Sequence, residues 1–252
     1  MRLALAIVLL ALATGCSPQR TIITRPLDEI ARSEHFVFRS SAGDRINVEW
    51  QEHYFDWATK VIGVTIDRPI QYNKYLTREH MNEVIGVGNS NAHADVPARA
   101  LHTLWKADNH ETIHLLASRF AWPAPVPLYR EGFAVAHQVD PVKGDLVPKW
   151  NGKYLREHVA SLRADGRYVA PHAMLTAAAF RRIDDVVSYP ISGAFVKYLL
   201  DRFGYEKVKD VMRKSQPTND EKQLREAFAS VFGAPIDQVE AEWLTSLVSG
   251  QT

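Results

Sequence analysis

Two histidines four residues apart bracket a glutamate in the stretch His110-Glu111-Thr112-Ile113-His114. On an α-helix, residues four apart share a face, so the two imidazoles can aim at one point. Two neutral imidazoles at that spacing suit a Zn²⁺ ion. A catalytic zinc takes a third protein ligand and leaves its fourth position to water. Glu131, which follows His114 after sixteen intervening residues and precedes Gly132, is the candidate third ligand. Glu111, one step round the helix from His110, would stand beside the water as general base.

The elements that must position these groups are legible nearby. Asp108 or Asn109 can cap the helix that carries the motif, and Asp108 with Glu111 has capping-box spacing. Ile113, Leu116, Ala117 and Phe120 recur at helical intervals as its buried face. Pro123, Pro125 and Pro127 forbid continuation, and Pro127 suits the first turn of a second helix, Leu128 to Val139. Glu131 then sits about one turn into that helix.

HETIH followed by LYREGFAVAHQ resembles the gluzincin branch of zinc metallopeptidases, most closely its peptidase MA-like members. In that branch the third zinc ligand is a glutamate on the next helix, set in a W/L-x-x-E-G-x-A context. The resemblance extends from about residue 35 onward, but its specific residues lie between His110 and Glu131. The spacing by itself implies a metal site. What the resemblance adds is a zincin-like fold, Zn²⁺ as cofactor and hydrolysis of a peptide or protein substrate. It also implies that a tyrosine just before the helix opened by Ser188–Phe195 faces the site, where a phenol can donate to an oxyanion. Tyr189 is the candidate, Tyr129 and Tyr198 are its rivals, and simple packing at a helix entry is the alternative. A thermolysin-like site places an Asp four residues after the third ligand to hold a zinc-bound histidine. This chain has Val135 there, so the partner comes from elsewhere, such as a backbone carbonyl. His137 lies on another face of the helix and reads as a half-buried or substrate-side residue, not a ligand.

Residues 1–16 read as a signal peptide. Arg2 precedes the apolar run Leu3–Ala13, whose eleven residues are too few to span a bilayer. Ala13-Thr14-Gly15-Cys16 resembles a bacterial lipobox, in which the cysteine is diacylated and becomes the mature N-terminus. Ala13 departs from the commoner Leu, and an ordinary cleaved signal with an incidental cysteine is the alternative. Cys16 is the single cysteine of the chain, so no disulfide forms within it. Ser17 resembles an outer-membrane sorting residue. Together these imply a bacterial envelope location, with the protein held on the periplasmic side of the outer membrane by its lipid. Residues 17–33, polar and with Pro18 and Pro26, read as a tether, and 34–250 as one domain.

Removing Arg2 with the signal leaves 29 basic and 29 acidic residues from the 30 and 29 of the whole chain. That balance, with no basic stripe, gives no footprint for nucleic acid. Patterning predicts strands at His35–Ser40, Arg68–Leu76 and Ala98–Leu104, and a helix at Asp44–Ile62. Gly86–Asp95 reads as loop. Resemblance to zincins makes Ala98–Leu104 the sheet edge that pairs with an extended substrate, an ordinary covered strand being the alternative. Further helices are expected at Leu155–Ala164, 173–183, 188–203, Glu221–Phe232 and Ile236–Val248. Trp105 and Trp122 fall near enough to the motif to line a pocket. The expected class is α+β, a mostly helical zincin-like domain with a small N-terminal mixed sheet. The competing function is a non-catalytic envelope lipoprotein that binds a peptide, a partner or a metal on the same fold.

Overall fold

The structure, a computed structural model, describes residues 27–249; the signal segment 1–16, with Cys16, lies outside the described residues. In chain order come β1 (Asp28–Arg32), β2 (Phe36–Ser40), α1 (Val48–Ile62), β3 (Ile70–Lys74), α2 (Arg78–Ile85), β4 (Ala92–Asp95) and β5 (Ala100–Thr103). There follow α3 (Asn109–Ala117), α4 (Pro127–Ala136), the small hairpin of β6 (Lys149–Trp150) and β7 (Lys153–Tyr154), and α5 (Leu155–Ala164). A 3₁₀ turn at Pro171–Met174 leads to α6 (Ala177–Phe180), α7 (Asp185–Phe203), α8 (Tyr205–Lys214), α9 (Glu221–Phe232) and α10 (Ile236–Ser249). The fold is α+β and mostly helical, with one small mixed sheet near its start, as expected. Among the described residues no helix is long and apolar enough to cross a membrane.

The sheet order is β1-β2-β3-β5-β4, with β2, β3 and β5 parallel and an antiparallel strand at each edge. This corrects two expectations. Asp28–Arg32 is not tether but the edge strand β1, paired with β2. The strand before α3 is not the sheet edge. β5 lies between β3 and β4, and all four of its residues are buried, as an interior position requires. The edge is β4, inside the stretch that reads as loop. Its Ala-His-Ala-Asp has little strand preference of its own and is ordered by pairing Ala92 with Thr103 and Asp95 with Ala100.

Other boundaries move for local reasons. α1 starts at Val48, because Asn47 caps it and Asp44 instead pairs with Lys74 at 2.5 Å in a largely buried ion pair. Tyr54, Phe55, Ala58 and Ile62 face the core, whereas Val61 points to water. α2 and α8 lie where no element is expected from the sequence, and 173–183 divides into the 3₁₀ turn and α6. α7 begins earlier than expected because the Asp184 side chain accepts from the Val186 N–H at 3.1 Å. Tyr189 is therefore within this helix, not before it.

α4, which carries Glu131, packs along α7 more extensively than any other two elements pack. Glycine makes the approach possible. A Cβ on Gly132 would lie 2.7 Å from the Ser192 carbonyl oxygen, and one on Gly193 would lie 2.8 Å from Val135 Cβ. Val135 therefore packs against the backbone of α7, which is why no carboxylate occupies that position. Gly132→Ala and Gly193→Ala should each destabilise the protein by about 1–3 kcal/mol in urea titrations, the usual cost of overpacking. An unshifted midpoint in both would contradict this contact.

His137 is only 2% exposed, not half-buried or substrate-side. Its Nδ1 lies 2.7 Å from the Phe133 carbonyl and its Nε2 lies 2.9 Å from the Tyr205 hydroxyl. Burial pushes its pKa down to about 4, and the Lys197 charge adds to this. The folded value lies below the unfolded one, about 6.5, so the contribution is complete above that pH and fades as pH falls toward the folded value. Between pH 7 and 5 the protein should lose about 2 kcal/mol more unfolding free energy than His137→Gln. Parallel pH slopes in denaturant titrations would show that the ring is not held neutral.

Candidate metal centre

Asp108 begins α3 by accepting the Glu111 N–H at 3.0 Å, as its capping position requires. Gln51 of α1 clamps the same turn. Its Oε1 accepts from the Asp108 N–H at 2.8 Å, and its Nε2 donates to Thr112 Oγ1 at 2.9 Å. Ile113, Leu116 and Ala117 bury the opposite face, while Phe120, beyond the helix end, is half-buried. The imidazoles of His110 and His114 are thereby turned toward α4.

There Glu131 meets them. Its Oε2 lies 3.2 Å from Nε2 of His110 and 3.2 Å from Nε2 of His114, and the two nitrogens are 3.1 Å apart. Zinc–ligand bonds of 2.0–2.1 Å in a tetrahedron separate ligand atoms by about 3.3–3.4 Å. The N, N, O triangle therefore has nearly the edge length that zinc requires, from the donor set that zinc prefers. A carboxylate oxygen of Glu111 lies within 4.8 Å of a ring nitrogen of each histidine, beside the triangle. The four expected residues of the centre are brought together.

Two partners hold the triad that the sequence did not disclose. Arg130 Nε donates to Glu131 Oε1 at 2.6 Å, fixing the oxygen that the histidines do not use. The side-chain amide of Gln138 lies 2.9 Å from His110 Nδ1. With nitrogen facing the ring, Nδ1 accepts; a half-turn of the amide presents Oε1, which accepts from a protonated Nδ1 and so leaves the Nε2 lone pair free for a cation. Gln138 is thus the orienting partner sought at Val135. The sequence extends the helix to Val139, but α4 ends at Ala136 and Gln138 lies two residues beyond it, so no helical spacing marks it. Arg130 had no signal either.

The two acids of the site are shifted in opposite directions. Burial opposes ionisation of Glu131, but His114, the hydrogen bonds from both histidines and Arg130 hold it well below the usual carboxylate range. Burial raises Glu111 to about 8, against the opposing charge of His110 and with the help of Asp108 and Glu131. Burial also works against a charge on either histidine. It lowers His114, whereas the contact with Glu131 and the charges of Glu111 and Asp108 leave His110 raised.

Of the three tyrosines, Tyr189 alone stands over the site. Its ring stacks on His110 with centroids 6.0 Å apart and meets Trp150 at a tilt, with centroids 5.0 Å apart. Burial, with the charges of Glu131 and Asp185, pushes its phenol up, so it remains a proton donor through neutral pH. Tyr129 is enclosed in the core and Tyr198 lines a separate hollow beside Trp243. Two hollows, of 760 and 530 Å³, meet at His110, Glu111 and Tyr189. Trp105 lines the larger and Trp122 the smaller, both largely exposed, as their positions suggested. A second group, His35 with Glu52 and Asp56, is a structural clasp: Glu52 accepts from both the N–H and the ring of His35.

Purified protein should take up one zinc per chain, and His114→Ala should abolish that uptake. Gln138→Leu should weaken binding about 10–100-fold in chelator competition, the usual effect of losing an orienting partner. Undiminished affinity in Gln138→Leu would remove its assigned role. Compared with models of known protein families and with curated proteins, the chain matches none.

Proposed function

We propose that this protein is a zinc-dependent peptidase that hydrolyses peptide bonds in the bacterial cell envelope, tethered there by a lipid on Cys16. The observation that carries the reading is the triangle of His110, His114 and Glu131, with atoms 3.1–3.2 Å apart and Glu111 beside it. Zinc bound there would polarise a carbonyl and bring the pKa of a water down to about 7. Glu111 takes the proton of the attacking water and later hands it to the leaving amine. Burial raises the proton affinity of this carboxyl in the metal-free site, and a dication beside it would lower it again toward the neutral range. The Tyr189 phenol, over His110, donates to the oxyanion that forms on the carbonyl. Arg130 and Gln138 keep Glu131 and His110 aimed. The free edge of β4, which lines both hollows through Ala92, suits an extended peptide backbone.

Glu111→Gln should retain zinc and lose peptide hydrolysis by about 10²-fold or more, the size of a general-base contribution. Tyr189→Phe should lower kcat with less effect on KM. Unimpaired hydrolysis by Glu111→Gln would refute the mechanism. A zinc-loaded protein inert toward a broad peptide library would favour the binding-lipoprotein reading.

A further inference from the structure

The larger hollow carries more negative charge than the centre itself uses. Two lysines line it, and each is already neutralised: Lys143 by Asp140 at 3.1 Å and Lys149 by Asp145 at 2.5 Å. Asp108 and Asp185 have no such partner. Asp108 is 3% exposed; its Oδ1 serves the helix cap, while its Oδ2 is buried without any hydrogen bond. Asp185, exposed at the start of α7, has only carboxylates, Asp184 and Glu131, as its charged influences.

The walls of this hollow are aromatic. Trp50, Trp105 and Trp150 line it, and Tyr189 closes it at the metal end. Trp105 is 52% exposed, a large ring left in water at the mouth. Rings with unpaired carboxylates form a chemistry that selects cations, since an ammonium or guanidinium gains from both the ring face and the opposite charge. The smaller hollow lacks that surplus of rings: its one arginine, Arg130, is already paired with Glu131, and Trp122, Pro125 and Met212 make its wall more apolar.

We infer that the larger arm of the cleft is a subsite for a basic side chain, lysine or arginine, next to the bond that is cut. This rests on the peptidase reading and names its substrate class. The smaller arm receives an apolar neighbour.

The test uses the full zinc-loaded protein and matched peptides that carry Lys, norleucine or Glu at each position flanking the scissile bond. At one flanking position kcat/KM should favour Lys over norleucine by about tenfold, with Glu poorest, as a cation held by a ring and a carboxylate implies. Asp185→Asn, and separately Asp108→Asn, which keeps a capping side chain, should collapse the Lys-to-norleucine ratio toward unity. Binding of the same peptides to Glu111→Gln, followed by tryptophan fluorescence, reads the subsite without turnover. Cleavage with no preference for a basic residue at any position would overturn the subsite and leave the peptidase standing. Preferential binding of the Lys peptide that Asp185→Asn removes, in a protein that cuts nothing, would keep the subsite and defeat the peptidase. Binding of neutral oligosaccharides with indifference to peptide charge would also overturn it.

Discussion

A carboxylate enclosed between two imidazoles and a guanidinium is the constraint on which the rest of the structure depends. Glu131 is almost wholly buried, and an ionised acid in that position is tolerated only because each oxygen has partners: Oε2 the two histidines, Oε1 Arg130. Such a group tolerates little displacement. The neighbouring elements accordingly leave α3 and α4 little freedom, α1 through Gln51 at the start of α3, and α7 through the glycine contacts along α4.

The same enclosure separates the two acids of the site. Glu111 and Glu131 lie on facing helices in one buried region, yet one is held ionised by its contacts with His114, His110 and Arg130 and the other is raised by burial. Opposite shifts in neighbouring carboxyls suit one group to face a cation and the other to carry a proton. Tyr189 completes the division: its ring packs on His110 and Trp150, and its hydroxyl remains a donor.

Shape then assigns directions. The sheet ends at β4, whose free edge runs past the centre, and the two hollows meet there with unlike linings, one aromatic and acidic, the other more apolar. A tryptophan stands on each arm. This asymmetry arises from segments far apart in the chain: α1 and the β6–β7 hairpin supply rings and the starts of α3 and α7 supply carboxylates on one side, and the proline-rich turn after α3 lines the other.

Much of the centre was readable beforehand because its information is local. Four-residue spacing places His110 and His114 on one face, Asp108 caps the helix, and the prolines after Phe120 force a turn that brings Glu131 back. Helical periodicity likewise located α5, α9 and α10 to within a few residues. What the pattern could not contain is pairing between distant segments. β4 has no strand signature and exists because β5 offers it an edge; β1 lies in a stretch whose polarity suits a tether equally well. Gln138 lies just past the end of α4, and only the fold shows which ring its amide meets. Arg130 is an ordinary surface residue in sequence, and becomes the anchor of a buried carboxylate only where α4 turns it toward Glu131. Residue types and short spacings thus determined which groups could bind a cation. The packing of α3, α4 and α7 decided that their atoms meet, because convergence to 3 Å depends on close helix contacts that no local pattern encodes.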